Sequence, residues 1–296
     1  MLDPCGFLVI DKPAGLTSHD CVARARRAYG LRRVGHGGTL DPAVTGVLPM
    51  ALGPATRLLP YLSGDKTYRG VIQLGLRTSS DDLDGEPLER HPIPGLDPAH
   101  LEAALAAFRG PIQQVPPQVS AVHVNGERAH VRARRGEASA LEARPVRIDQ
   151  LDLLAWHPDR GQLELLVRCS AGTYIRSLAR DLGERLGCGG CLAHLRRTAA
   201  LGFGLHQAVP LSVLEGPPPP LIDPVLVLAH LPQRPLALHE QQGWRCGRPL
   251  AAVGGTMVPP TNQPVAVLNP DGRLAGIALA GDDGRLQPKL VFDAAG

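Results

Sequence analysis

Residues 32–57 read RRVGHGGTLDPAVTGVLPMALGPATR. Five glycines surround one acid, Asp41, with a histidine and two arginines just ahead of it. Glycine adopts backbone conformations closed to other residues and lets a chain lie close to a ligand. Pro42 stiffens the position after the acid, and Thr39 and Thr45 are available for local hydrogen bonds. The stretch carries fragments reminiscent of three chemistries, and each lacks a part that its chemistry needs. His36-Gly37-Gly38 looks like an esterase oxyanion loop, but the chain has no G-x-S-x-G serine elbow. Asp41-Pro42-Ala43 looks like a phosphotransfer aspartate loop, but Ala43 stands where a second acid would help hold Mg²⁺. Neither G-x-x-x-x-G-K-[ST] nor G-x-G-x-x-G occurs, so the glycines are no phosphate cradle of those types. What remains is a carboxylate in a stiff loop without metal partners, suited to act as nucleophile or general base.

Composition limits what surrounds this loop. A chain of 296 residues favours two domains. With 44% hydrophobic and 20% charged residues it is globular and not disordered. The net charge of +3 means that an anionic partner must be met by local patches. Six cysteines at irregular spacings do not form a secreted disulfide framework. The N-terminus, MLDPCGFLVIDKP, carries acids where a signal peptide carries bases, and no run approaches the roughly 18 apolar residues that span a bilayer. A reducing cytoplasm is the expected compartment, with no membrane association.

Punctuation gives the organisation. The break at Gly216 to Pro220, GPPPP, can continue neither a helix nor a central strand. Beyond a short linking stretch, Asn269-Pro270-Asp271-Gly272 between two apolar runs reads as a hairpin turn, which predicts a small all-β C-terminal domain. Ahead of the break the elements are mixed. Asp97 and Pro98 open a helix with Leu101, Ala104, Leu105 and Phe108 on one face and Gly110 at its end. A second helix carries Ile175, Leu178, Ala179, Leu182 and Leu186 and stops at Gly187. Alternation at Tyr68, Gly70, Ile72, Leu74 and at Leu163, Leu165, Val167, Cys169 predicts two strands. The fold class is α+β.

Gly35-His36-Gly37-Gly38-Thr39-Leu40-Asp41-Pro42-x-x-Thr45-Gly46-x-Leu48, followed by Leu52-Gly53-x-Ala55-Thr56, resembles the catalytic motif of the TruB family of tRNA pseudouridine synthases. Three more stretches resemble that family's motifs in its order: Asp11-Lys12-Pro13-Ala14-Gly15-Leu16-Thr17-Ser18, Asp65-Lys66-Thr67-Tyr68, and Gly172-Thr173-Tyr174-Ile175-Arg176. The likeness covers residues 8 to about 200, and the C-terminal stretch is similar to the PUA domain of the bacterial members. It implies a catalytic domain over 1–232, with a mixed central sheet and a thumb insertion at about 118–147, and a PUA-like RNA-binding domain over 233–296.

The resemblance also implies a reaction: isomerisation of uridine-55 in the TΨC loop of tRNA to pseudouridine, by base flipping, with no cofactor and no metal. Asp41 matches the catalytic aspartate, Arg176 the arginine that pairs with it, and Tyr68 the residue that stacks on the flipped base and serves a late proton transfer from C5. His36 matches the histidine that enters the RNA loop, and Asp82 an acid that organises the arginine and tyrosine, in a stretch where four acids crowd. Lys12, Arg57 and Tyr174 are expected at the RNA or substrate. The partner is the T-arm of tRNA, and the family expectation is a monomer.

RNA binding should leave an electrostatic trace. Residues 126–147 hold six arginines and three glutamates, and Arg132, Arg134 and Arg135 in this thumb are the expected phosphate contacts. A second cluster, Arg24, Arg26, Arg27, Arg32 and Arg33, leads into the glycine-rich loop. Three positions depart from the family pattern: Ala171 where lysine is common, Arg57 in place of lysine, and His130 where the thumb often has tyrosine. They touch RNA contacts more than the chemistry at Asp41. Cys188-Gly189-Gly190-Cys191 has the spacing of a metal or redox site, but no second pair accompanies it, and reduced thiols are expected. Two other functions share this pattern: an RNA-binding protein that helps tRNA fold, and modification of uridine in a different RNA.

Overall fold

The apolar run Phe7-Leu8-Val9-Ile10 is buried on both faces, as a central strand requires, and forms β1 (Gly6–Lys12). The structure is a computed structural model that describes residues 4–62, 64–120, 122–124, 126–137, 140–251 and 260–292, with the side chains of Val124, Arg128, His130, Ala133 and Arg134 left out. After β1, Thr17 starts α1 (Ser18–Tyr29) with a capping box: its hydroxyl accepts from the Asp20 amide, and the Asp20 carboxylate accepts from the Thr17 amide. The Asp11–Ser18 motif is therefore a strand end, a turn and a helix cap. The glycine-rich stretch becomes two strands, β2 (Val34–His36) and β3 (Thr45–Leu52), around a loop that carries Asp41.

A 3₁₀ segment, Gly53–Tyr61, leads to β4 (Lys66–Leu74), whose buried residues Tyr68, Gly70, Ile72 and Leu74 alternate as predicted. A small ribbon follows, β5 (Leu76–Thr78) with β6 (Pro87–Arg90). Helix α2 (Pro98–Ala106) is capped by Asp97 but ends four residues before Gly110. The reason lies in the next turn: Arg109 donates twice to the Leu151 carbonyl, at 3.0 and 2.7 Å, which draws the chain into β7 (Gly110–Gln114). Within 118–147, where a thumb insertion is expected, the described residues form β8 (His123–Val124), β9 (Glu127–Arg128) and α3 (Ala129–Arg134). Arg144 and Arg147 already belong to the long strand β10 (Arg144–His157). Then come β11 (Gln162–Cys169), α4 (Ile175–Arg185), β12 (Gly190–Ala200) and the short β13 (Phe203–Gly204) and β14 (Val209–Pro210).

These strands form one ten-stranded sheet in the order β14-β1-β3-β12-β4-β11-β10-β7, with β2 beside β3 and β13 beside β12. It is mixed, because β14 with β1 and β12 with β3 run parallel and the other pairs antiparallel. The parallel contact of β3 with β12 matters most for the site. It sets Thr45 opposite Arg196 and Gly46 opposite Arg197, just past the Asp41 loop. Helices α1, α2 and α4 cover one face through Cys21, Leu101 and Leu178.

The proline break at 216–220 does not detach the chain from this sheet, since Ile222 and Phe7 exchange backbone hydrogen bonds of 2.8 and 2.9 Å. After α5 (Pro224–Val227), the strands β15 (Gln233–Pro235), β16 (Leu250–Ala251), β17 (Pro264–Leu268), β18 (Leu274–Ala280) and β19 (Arg285–Val291), with helix α6 (Gln241–Arg245), build a five-stranded sheet ordered β15-β17-β18-β19-β16. Its hairpin turns at Asn269–Gly272, closed by a 2.9 Å bond from the Gly272 amide to the Asn269 carbonyl. This sheet has its own core around Trp244, and Ala266 and Ile277 join Phe7, Val9, Val47 and Ala51 on the second face of the large sheet.

Candidate active site

The loop that carries Asp41 is fixed from three sides. Ser18, on the first turn of α1, donates its hydroxyl to the Leu40 carbonyl at 3.2 Å and accepts the Leu40 amide at 2.9 Å. Lys12, at the end of β1, donates to the carbonyls of Pro13 (2.8 Å), Leu16 (2.7 Å) and Pro42 (3.0 Å). Arg197, from β12, donates Nε to the Val47 carbonyl at 2.7 Å and Nη2 to the Gly38 carbonyl at 3.0 Å. Gly46 is required where β3 meets β12: its φ is +106°, and a Cβ there would lie 2.1 Å from the Arg197 carbonyl oxygen.

Lys12 departs from the expectation of an RNA contact. Its side chain is 0% exposed, all three ammonium donors are used by backbone carbonyls, and burial holds its pKa below the ordinary lysine value. It positions the backbone beside Asp41 instead.

The Asp41 carboxylate is 46% exposed and meets Arg176 Nη2 at 3.0 Å, whereas the arginine is only 8% exposed. Arg176 comes from the first turn of α4, whose start is held by Gln114: the Gln114 side chain accepts the Tyr174 amide at 2.8 Å and donates to the Tyr174 carbonyl at 3.1 Å. Tyr174 is thus a half-buried cap residue two positions from the arginine. The guanidinium also donates to Ser80 (3.0 Å) and Val119 (3.0 Å) carbonyls, and its Nε stands 3.6 Å from Asp82 Oδ2. A planar fork with five donors suits this set, which a lysine could not serve.

Of the crowded acids, Asp82 faces Arg176. Asp81, in a left-handed conformation with φ +62°, turns away to Arg180 at 2.9 Å. Burial pushes the Asp81 carboxyl up, and Arg180 opposes the shift. Asp82 is held by the Ser80 hydroxyl and the Asp84 amide. Asp41, Val44, Asp82, Leu83, Arg176 and Leu195 line a cleft open to solvent.

Tyr68 lies beneath this loop, buried on β4 and directly opposite Arg197 of β12. Burial pushes its phenol up, while the Arg197 guanidinium pulls it down. His36 ends β2; its Nδ1 accepts the Gly38 amide at 3.3 Å, and its ring meets His19 edge-on at 5.8 Å. Burial holds His36 below the ordinary histidine value.

Arg57, Arg132 and Arg135 meet partners other than Asp41. Arg57 donates to the Val291 carbonyl at 3.3 Å and lies over the Phe292 ring, so it faces the five-stranded sheet. Arg132 pairs with Glu137 at 3.2 Å, and Arg135 with Glu127 at 2.6 Å and Glu137 at 3.0 Å. The Arg134 side chain, like that of His130, lies outside the described residues. Cys188 and Cys191 are buried free thiols, and burial pushes the Cys191 thiol up to about 11. Sequence reasoning missed Ser18, Arg197 and the carbonyls of Ser80 and Val119. Ser18 closes the Asp11–Ser18 motif without a role assigned to it, and Arg197 left a signal as an arginine pair, Arg196-Arg197, inside an otherwise largely apolar strand.

Residues 26–175 match the family model for TruB family pseudouridylate synthase, N-terminal domain, and 176–216 match the tRNA pseudouridylate synthase B C-terminal domain, which ends before the five-stranded sheet. The chain is 67% identical over 293 residues, 99% of each chain, to tRNA pseudouridine synthase B of Parasynechococcus marenigrum strain WH8102. It is 61% identical over 304 residues, 100% of each chain, to tRNA pseudouridine synthase B of Synechococcus sp. strain WH7803. A solved H/ACA RNP bound to a substrate RNA containing 2′-deoxyuridine shares the fold, with a TM-score of 0.71 at 23% identity over 97% of this chain and 84% of that one. A Cbf5-Nop10-Gar1 complex gives 0.66 at 25% identity over 93% and 78%. With matched models over most of its length and near-complete coverage of such relatives, this chain belongs to the TruB family of pseudouridylate synthases.

Proposed function

We propose that this chain isomerises uridine-55 in the TΨC loop of tRNA to pseudouridine, with the base flipped into the cleft beside Asp41. The observation that carries the reading is the half-open Asp41 carboxylate held at 3.0 Å by a buried arginine, in a loop fixed on three sides. A carboxylate so placed is held in one direction by Arg176 while one face remains free for substrate. In the reaction the C1′–N1 bond breaks, the base turns, and a C1′–C5 bond forms; C5 then loses its proton and N1 gains one. Asp41 is the essential acid, Arg176 its partner, Asp82 the orienter of Arg176, and Tyr68 the group for the late proton transfer. His36 enters the RNA loop where the base has left.

Relatives named tRNA pseudouridine synthase B support tRNA as the substrate. Residues 1–232 act as the catalytic unit, the thumb closes on the T-arm through Arg132, Arg134 and Arg135, and 233–296 form a PUA-like RNA-binding unit. The enzyme works as a cytoplasmic monomer. The test is tritium release from [5-³H]uridine in an unmodified tRNA transcript, against the same tRNA with cytidine at position 55. Release is expected from the first only, and Asp41→Asn should abolish it while still binding tRNA. Release from the cytidine-55 transcript would move the target to another uridine; release by Asp41→Asn would remove Asp41 from the chemistry.

A further inference from the structure

Arg197 is 0% exposed, yet among the described residues no carboxylate pairs with its guanidinium. A buried charge without a counter-charge is costly, so the fold keeps it for what it touches. Two of its donors close the Asp41 loop from both ends, at the Gly38 and Val47 carbonyls. The third nitrogen, Nη1, is buried with no formed hydrogen bond. The Arg197 side chain meets that of Tyr68, the residue directly across the β4–β12 ladder.

A second cation strengthens the same spot. Lys66 Nζ and Arg197 Nη1 both stand 3.4 Å from the point where a Gly38 side chain would begin. Among the described residues, the charged or titratable groups near Tyr68 are Arg197 from β12, Cys169 from β11, Asp41 from its loop, and Lys66 two residues earlier on β4. Cys169 is a protonated thiol, pushed up to about 11 by burial. Arg197 is thus the group that offsets the burial of the phenol.

We infer that Arg197 is a positioning residue for the isomerisation, fixing the Tyr68 hydroxyl against the Asp41 loop and supplying the positive charge the phenol needs when its proton moves. The inference rests on the function proposed above. The phenol gives its proton to N1 and takes the C5 proton in return; the C5–H bond breaks, the N1–H bond forms, and no oxidant or co-reactant enters. Orientation comes from the fork on Gly38 and Val47, and charge from the guanidinium as a whole.

The experiment compares full-length wild type with Arg197→Met, Arg197→Lys, Tyr68→Phe and the Arg197→Met/Tyr68→Phe double variant. Single-turnover rates, tRNA affinity and the 295 nm phenolate titration are read, with the Tyr68→Phe curve subtracted. Arg197→Met should slow turnover by about 30-fold or more with affinity within about threefold, a loss typical of a disturbed proton transfer. Its Tyr68 titration should move to higher pH, and the double variant should be little slower than Tyr68→Phe alone. Arg197→Lys, which keeps the charge without the fork, should restore the titration while staying about tenfold slow. Additive losses in the double variant, or an unmoved titration, would overturn the inference. Should Arg197→Met fail to fold, Arg197→Lys decides: wild-type turnover in it overturns the fork's role. A wild type that releases no tritium sinks the functional reading, while the titration still tests the Tyr68–Arg197 contact.

Discussion

The Lys12 ammonium donates to the Pro42 carbonyl at 3.0 Å, across thirty residues of sequence and out of reach of solvent. Lys12→Met leaves three carbonyls without that donor and should cost about 2–3 kcal/mol in urea unfolding. The salt slope of tRNA binding should stay unchanged. A slope lower by about one would instead make Lys12 a phosphate contact.

Gly46 and Gly38 offer a paired test. Gly46→Ala sets a Cβ against backbone, 2.1 Å from the Arg197 carbonyl oxygen, at a φ of +106°. It should lower unfolding free energy by about 3 kcal/mol and loosen β3 from β12. Gly38→Ala shares the strain of a positive φ, +141°, but meets only side-chain tips, at 3.4 Å, so it should cost less. Equal losses would show that the β3–β12 approach is not the constraint.

His36 gives a pH signature. Burial is the main cause of its lowered pKa, and the neighbouring His19 and Arg197 add to it. Unfolding frees the ring to bind a proton once the pH falls below about 6.5, so its contribution to stability is full above that pH and declines as the pH falls through it. His36→Gln should therefore lose less unfolding free energy than wild type on going from about pH 7 to about pH 5.5. Parallel pH profiles would contradict this.

Arg135 is shared by Glu127 and Glu137, and exposed pairs of this kind add little to stability. Arg135→Gln should leave the melting temperature nearly unchanged, weaken tRNA binding and lower its salt slope by about one. An unaltered slope would place Arg135 outside the RNA contact.

Legibility in the sequence followed how local each determinant is. Strands β4 and β11 show their buried alternation directly, and the Asn269–Gly272 turn is written in its own four residues. Asp41 and Arg176 are far apart in sequence, and only ordered motifs, not spacing, suggested that they meet. Lys12 and Arg197 were hidden because long cations are ordinarily solvated, and their burial depends on strand register that no local pattern encodes. Which of Asp81 and Asp82 faces Arg176 turns on one left-handed residue, Asp81. The early end of α2 turns on Arg109 finding a carbonyl on β10, 42 residues away.

The second face of the large sheet leaves a practical legacy. Phe7, Val9, Val47 and Ala51 are sealed there by Leu228, Ala266 and Ile277, and Arg57 reaches across to Val291. Trimming the chain after residue 232 would strip Ala266 and Ile277 away and bare an oily surface behind the strand that leaves the Asp41 loop. Inactivity in such a fragment would report clumping before it reported lost RNA contacts.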